Sequence, residues 1–176
     1  MHRPHFLPAV LLALGLCACG DPREDLVGGY PITGTMQTTS GGSTNSSRVK
    51  DYVRVSSDSA SSDRLSVLLS GFKCTSAAKM TGPLEFSIER TQCPPETTDG
   101  CTYTVVLERG TGGKDVDYSE LVIKFSGTVS ARCTDGRTGQ TTFSLSMSGF
   151  RSAEGSTERE LEALAGSTVR GAAGIP

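Results

Sequence analysis

The chain is expected to fold as an all-β domain, an antiparallel up-and-down barrel of about eight strands, and three features lead to that reading. Apolar and polar residues alternate with a period of two along most of the chain between Tyr30 and Arg151. That is the pattern of strands with one buried face. Short polar turns separate these stretches and no stretch of helical period lies between them, so consecutive strands should pair antiparallel. Gly34, Gly71, Gly127 and Gly149 fall on the parity of the apolar faces. An inward glycine relieves crowding where a strand coils sharply, and closure removes the edges through which open sheets aggregate. A β-sandwich is the alternative architecture.

The elements follow in order. Tyr30, Ile32, Gly34 and Met36 alternate with Pro31, Thr33, Thr35 and Gln37. Pro31 has no N–H to donate, which suits a strand's start or an edge. Residues 40–47, rich in Ser, Gly and Asn, read as a loop. Val49, Val53 and Val55 mark the second strand, and Asp51, which breaks their face, is expected near solvent at a strand end. Leu65, Val67 and Leu69 form the third. The segment from Cys74 to Met80 reads as strand or extended loop. Leu84, Phe86 and Ile88 follow, until Cys93-Pro94-Pro95, where successive prolines forbid a central ladder.

The second half has longer runs. Tyr103, Val105 and Leu107 continue inward from Cys101, and Gly110-Thr111-Gly112-Gly113 reads as a turn. Leu121, Ile123, Phe125, Gly127, Val129 and Ala131 mark one long strand; Asp135-Gly136 is a hairpin signal; Phe143, Leu145 and Met147 mark the last strand. The inward side chains are about what an eight-stranded barrel needs to fill itself. The outward residues are mostly Ser, Thr, Lys and Glu, which suits a barrel in water and not a membrane pore. Beyond Arg151, Thr157 and Glu160 fit a capping box ahead of Leu161 and Leu164, so one short helix and a Gly/Ala tail are expected.

The N-terminus carries the strongest motif. Arg3 precedes an apolar run from Phe6 to Leu16 that is too short to span a bilayer but suits an export signal. The run ends in Leu16-Cys17-Ala18-Cys19, which resembles the lipobox of bacterial lipoproteins: Leu16 three positions before the cut, small Ala18 just before it, and Cys19 just after. The resemblance implies lipidation on the Cys19 sulfur. Cys17 as the acceptor would put bulky Leu16 where a small residue is needed. Gly20, and not Asp, follows Cys19, so by the enteric sorting rule the resemblance implies an outer-membrane anchor. The expected organisation is a signal peptide over 1–18, a tether over 19–29, a barrel over 30–151 and an extension over 152–176.

That processing narrows the chemistry. His2 and His5 both precede Cys19 and there is no Trp, so Ser-His-Asp and Cys-His catalysis and His-ligated zinc drop out. Cys74, Cys93, Cys101 and Cys133 remain after Cys17 and Cys19 are set aside. An even remainder in an oxidising compartment suggests two disulfides, with a four-cysteine metal site as the rival that lacks any C-x-x-C pair. Cys101 and Cys133 share inward parity on neighbouring strands and are paired, leaving Cys74 with Cys93; Cys93 with Cys133 is the competing link. Net charge is −2 without a basic stripe, which indicates no nucleic-acid partner. No catalytic residue, metal site or cofactor motif stands out. Glu85 and Glu89 flank Ser87 on an outward face, and Asp115 and Asp117 read as a solvated turn and not as a calcium loop.

The barrel region also resembles the small lipid-anchored β-proteins of Gram-negative bacteria, and loosely the lipocalins. Gly28-Gly29-Tyr30 resembles the lipocalin Gly-x-Trp opening, with Tyr in place of Trp, and Arg151 resembles the family's closing Arg. Phe72-Lys73-Cys74 is similar to the aromatic-x-Cys strand of membrane-bound lysozyme inhibitors, whose Ser-Gly-x-x-Tyr loop is replaced here by a sequence running from Ser126-Gly127 to Ser130. Neither resemblance transfers a site, and ligand-binding residues stay unassigned. Two functions are compatible with these observations. One is a lipid-anchored envelope protein with a structural or protein-interaction role and a filled core, in contact with the membrane through Cys19. The other is a lipocalin-like module that holds a small apolar molecule.

Overall fold

The computed structural model describes residues 20–152 apart from 116 and 118. Cys19 with its lipobox, and the Thr157–Glu160 capping box with its expected helix, lie outside the described residues. The strands are β1 (Gly28–Ser40), β2 (Ser43–Ser57), β3 (Arg64–Leu69), β4 (Cys74–Gly82), β5 (Glu85–Ile88), β6 (Thr91–Gln92), β7 (Glu96–Thr98), β8 (Cys101–Lys114), β9 (Glu120–Cys133) and β10 (Thr138–Phe150). One 3-10 turn, Ser70–Phe72, joins β3 to β4.

These strands form one antiparallel sheet that closes on itself. Neighbours in sequence pair from β1 to β5 and from β8 to β10, β10 returns to β1, and β5 joins β8. Glu85 to Ile88 face Gly113 to Gly110, Thr91 faces Leu107, and Glu96 to Thr98 face Tyr103 to Cys101. Strands β5, β6 and β7 are therefore one wall broken in two places, the second break falling at Cys93-Pro94-Pro95. The ring has eight walls and is an up-and-down barrel, not a sandwich. It is uneven: β2 has 15 residues and β3 only 6. The β1–β2 hairpin and both disulfides lie at what we call the upper end; Gly28 and Phe150 lie at the lower end.

Three local expectations are corrected, and one segment left open between strand and loop is resolved. Residues 40–47 are not a loop but the tip of a long hairpin. Gly41 and Gly42, with φ of 56° and 84°, supply the tight turn, and Thr39 and Thr44 share a 3.0 Å hydroxyl contact across it. Gly110-Thr111-Gly112-Gly113 is not a turn but the last part of β8, bonded to β5 on one side and β9 on the other. Its glycines make room inside: a Cβ on Gly112 would lie 2.1 Å from the Phe86 ring. Gly71 belongs to the 3-10 turn and not to a strand. The ambiguous segment from Cys74 is strand β4.

The segment read as a tether is also folded from Gly20 onward, and β1 starts at Gly28 instead of Tyr30. Leu26 is fully buried, and the Tyr30 hydroxyl donates to its carbonyl at 2.8 Å. Arg23 holds the Asp21 carboxylate and donates to the Asp58 and Ser61 carbonyls at 2.7 and 2.6 Å. Arg151 closes the same end. It donates to the Glu24 carbonyl at 3.0 Å and to that of Asp25, while its Nε lies 3.4 Å from the Tyr30 hydroxyl. The two chain ends that carry the lipocalin resemblance thus meet. A largely polar segment folds here because Leu26 anchors it in the core while Arg151 and Tyr30 satisfy its carbonyls and Arg23 ties it to the β2–β3 turn.

Candidate functional site

The lumen is the first place to look for a site in a barrel. Of the apolar side chains expected inside, all but Val49, Leu84 and Tyr103 are buried, and those three are half-buried. Phe72 adds a group that alternation missed. Carried by the 3-10 turn, it is 1% exposed and stacks on Phe143 with centroids 5.5 Å apart. Its edge meets Phe125 at 5.7 Å, and Phe125 meets Phe143 edge-on at 6.0 Å. Gly127 makes space for this trio, since a Cβ there would lie 2.8 Å from the Phe143 ring. No side chain of the trio exposes more than 4% of its surface, and a void able to admit a ligand would expose more. The core is an aromatic plug and not a cup.

Asp51 is placed otherwise than expected. It is 4% exposed, and one carboxylate oxygen accepts the N–H groups of Tyr52 and Gly71, each at 2.7 Å. The carboxylate therefore latches the turn that carries Phe72. Its second oxygen, and the Ser70 hydroxyl, are buried with no hydrogen-bond partner. Burial pushes the carboxyl pKa up to about 6, against the opposing pull of the two N–H groups. Alternation could flag this residue as out of pattern but could not show the turn folding over it.

The cysteines form Cys74–Cys93 and Cys101–Cys133 disulfides. Cys101 and Cys133 sit opposite each other in the β8–β9 ladder. Cys74 opens β4 directly after Phe72-Lys73, so that bridge fixes the other side of the aromatic plug. The carboxylates marked by sequence are scattered. Glu89 pairs with Arg64, Glu85 is exposed, and Asp115 accepts the Asp117 N–H in a local turn. Among the described residues no group of three potential metal ligands comes together.

One concavity lies on the outer face of the barrel. It is a groove of about 520 Å³ across β1, β10, β9 and β8. Two rows of the ladder build it: Thr35, Ser146, Lys124 and Thr111 in one, Gln37, Ser144, Ser126 and Arg109 in the next. A bulge between Leu107 and Arg109 in β8 shapes its far wall. No carboxylate lines it. On their own strands these outward residues read as solvated surface, and only the cross-strand register brings them together.

No protein-family model matches the chain, and no curated protein matches it. Among solved structures it is similar to the crystal structure of a protein of unknown function, of the DUF3598 family, from Nostoc punctiforme. The identity is 14%, the match covers 72% of this chain and 48% of that one, and the TM-score is 0.31. The chain thus spans about half the length of the protein it matches.

Proposed function

We propose that the chain is a lipid-anchored lipoprotein of the cell envelope whose barrel is a rigid module with a structural or interaction role, working from its outer surface. The observation that carries this reading is the aromatic plug of Phe72, Phe125 and Phe143, which occupies the space a lumenal ligand would need. The lipobox at Leu16-Cys17-Ala18-Cys19 supports the anchor. The packing of residues 20–27 against the lower end supports an orientation in which that end faces the membrane and the hairpin end points away. Two or three acyl chains on Cys19 would make attachment stable, where one gives only marginal binding. The test is mass spectrometry of the mature N-terminus after expression in a Gram-negative host. A diacylglyceryl-modified Cys19 is expected, abolished by Cys19→Ala; an unmodified Cys19 overturns the anchor.

A further inference from the structure

The outer groove carries charges that the anchor and the plug leave without a role. On the β3–β7 side of the barrel the cations are neutralised: Lys73 by Glu96, Arg64 by Glu89, Lys79 by Asp63 and Arg90 by Glu108. On the β1–β10–β9–β8 face, where Arg137 pairs with Asp135 in the β9–β10 turn, the groove itself holds cations of another kind. Arg109 and Lys124 stand in the groove, and Arg48, directly opposite Thr35 in the β1–β2 ladder, stands at its other end. None of the three forms an ion pair among the described residues. Between them the groove presents the hydroxyls of Thr35, Ser144 and Ser146 and the amide of Gln37, all on outward positions.

We propose that this groove binds a strand of anionic polysaccharide. Segregated, unneutralised cations flanking a carboxylate-free trough form a field complementary to a polymer with repeated negative charge. The planar Arg109 guanidinium suits two-point recognition of a carboxylate or a sulfate, and Lys124 and Arg48 supply point charges along the run. The hydroxyl and amide groups between the cations can each donate and accept, which matches a ligand that is itself rich in hydroxyls. A protein partner is a poorer fit because stable protein interfaces centre on aromatic or aliphatic anchors, and those beneath the groove, Phe125 and Leu145, turn their side chains into the core and are buried. A single-stranded nucleic acid would need stacking platforms, which are equally lacking there. The groove is formed wholly by the barrel and does not depend on lipidation of Cys19.

The experiment is affinity electrophoresis of the full chain in non-ionic detergent, through gels containing polygalacturonate, neutral dextran or polyglutamate. Retardation by polygalacturonate alone is expected, weakening as salt screens the cations. The double variant Arg109→Gln/Lys124→Gln should weaken retention roughly tenfold, because each lost contact is a solvent-exposed charge pair of modest strength. Lys73→Gln/Lys79→Gln, on the neutralised side, should leave it unchanged. Unaltered thermal unfolding of both exposed-site variants will show that the fold is kept. Absence of retardation by polygalacturonate, retention unaffected by the groove variant, or equal retention by dextran or polyglutamate would each overturn the proposal. Failure of the anchor reading would show only at the N-terminal mass and would leave these outcomes untouched.

Discussion

Replacing Asp51 with Asn isolates the energetic consequence of burying a carboxylate under the Phe72 turn. The carboxyl pKa is about 6 in the fold against 3.8 when exposed. Between those values the folded chain binds more protons than the unfolded chain, so the contribution of Asp51 to stability falls as pH rises from below 4 to above 6. The gap between the two values is worth about 3 kcal/mol. Asn keeps an acceptor for the Tyr52 and Gly71 N–H groups but does not titrate. The stability of Asp51→Asn relative to the parent protein should therefore improve by about 3 kcal/mol between about pH 3.5 and pH 7.5. The carboxylates of Asp21, Asp63 and Asp135, all held below their usual range by side-chain and backbone donors, act in the opposite sense but cancel in the comparison. Urea denaturation of both proteins across that range is the assay, and a swing of this size moves the midpoint difference by roughly 1–3 M. Parallel pH profiles, or a parent protein that gains on the variant as pH rises, would refute the account of this carboxylate.

Two further outcomes follow from the packing. Phe125→Ala removes the ring that meets both Phe72 and Phe143, and should cost about 3–5 kcal/mol in urea denaturation; a much smaller loss would mean that the lumen was never packed. Arg151→Ala frees the carbonyls of Glu24 and Asp25 and should cost about 2 kcal/mol and expose residues 20–27 to limited proteolysis; unchanged protease resistance would count against the closing role of Arg151.

Much of the barrel is legible in the sequence, because each long strand buries one face and the period of two survives. Leu121 to Ala131 and Phe143 to Met147 show it without ambiguity. The elements that differ share a cause: composition does not fix conformation. Ser-, Thr- and Asn-rich residues 43–47 lack an apolar face yet pair along the hairpin, because Gly41-Gly42 fixes the register and the Thr hydroxyls meet across it. The glycines of β8 serve the Phe86 ring and the Phe125 Cβ, contacts between segments far apart in sequence. Phe72 lies outside any alternating run, and its place depends on the Asp51 latch and the disulfide at Cys74. The outer groove was invisible for a related reason. Thr35, Ser146 and Lys124 are unremarkable on their own strands and become a site only through the β1–β10–β9 register.

The claim on which the account turns is that the barrel is solid and works from outside. Native mass spectrometry of the protein, purified from its host without denaturation, tests this most directly. The predicted spectrum contains only the covalent mass of the protein, including the lipid proposed on Cys19, and no further bound mass; it is unchanged for Phe72→Leu, which keeps the plug apolar. A stoichiometric lipid or other apolar molecule that co-purifies with the native protein and is released on unfolding would contradict it, and would make the protein a carrier.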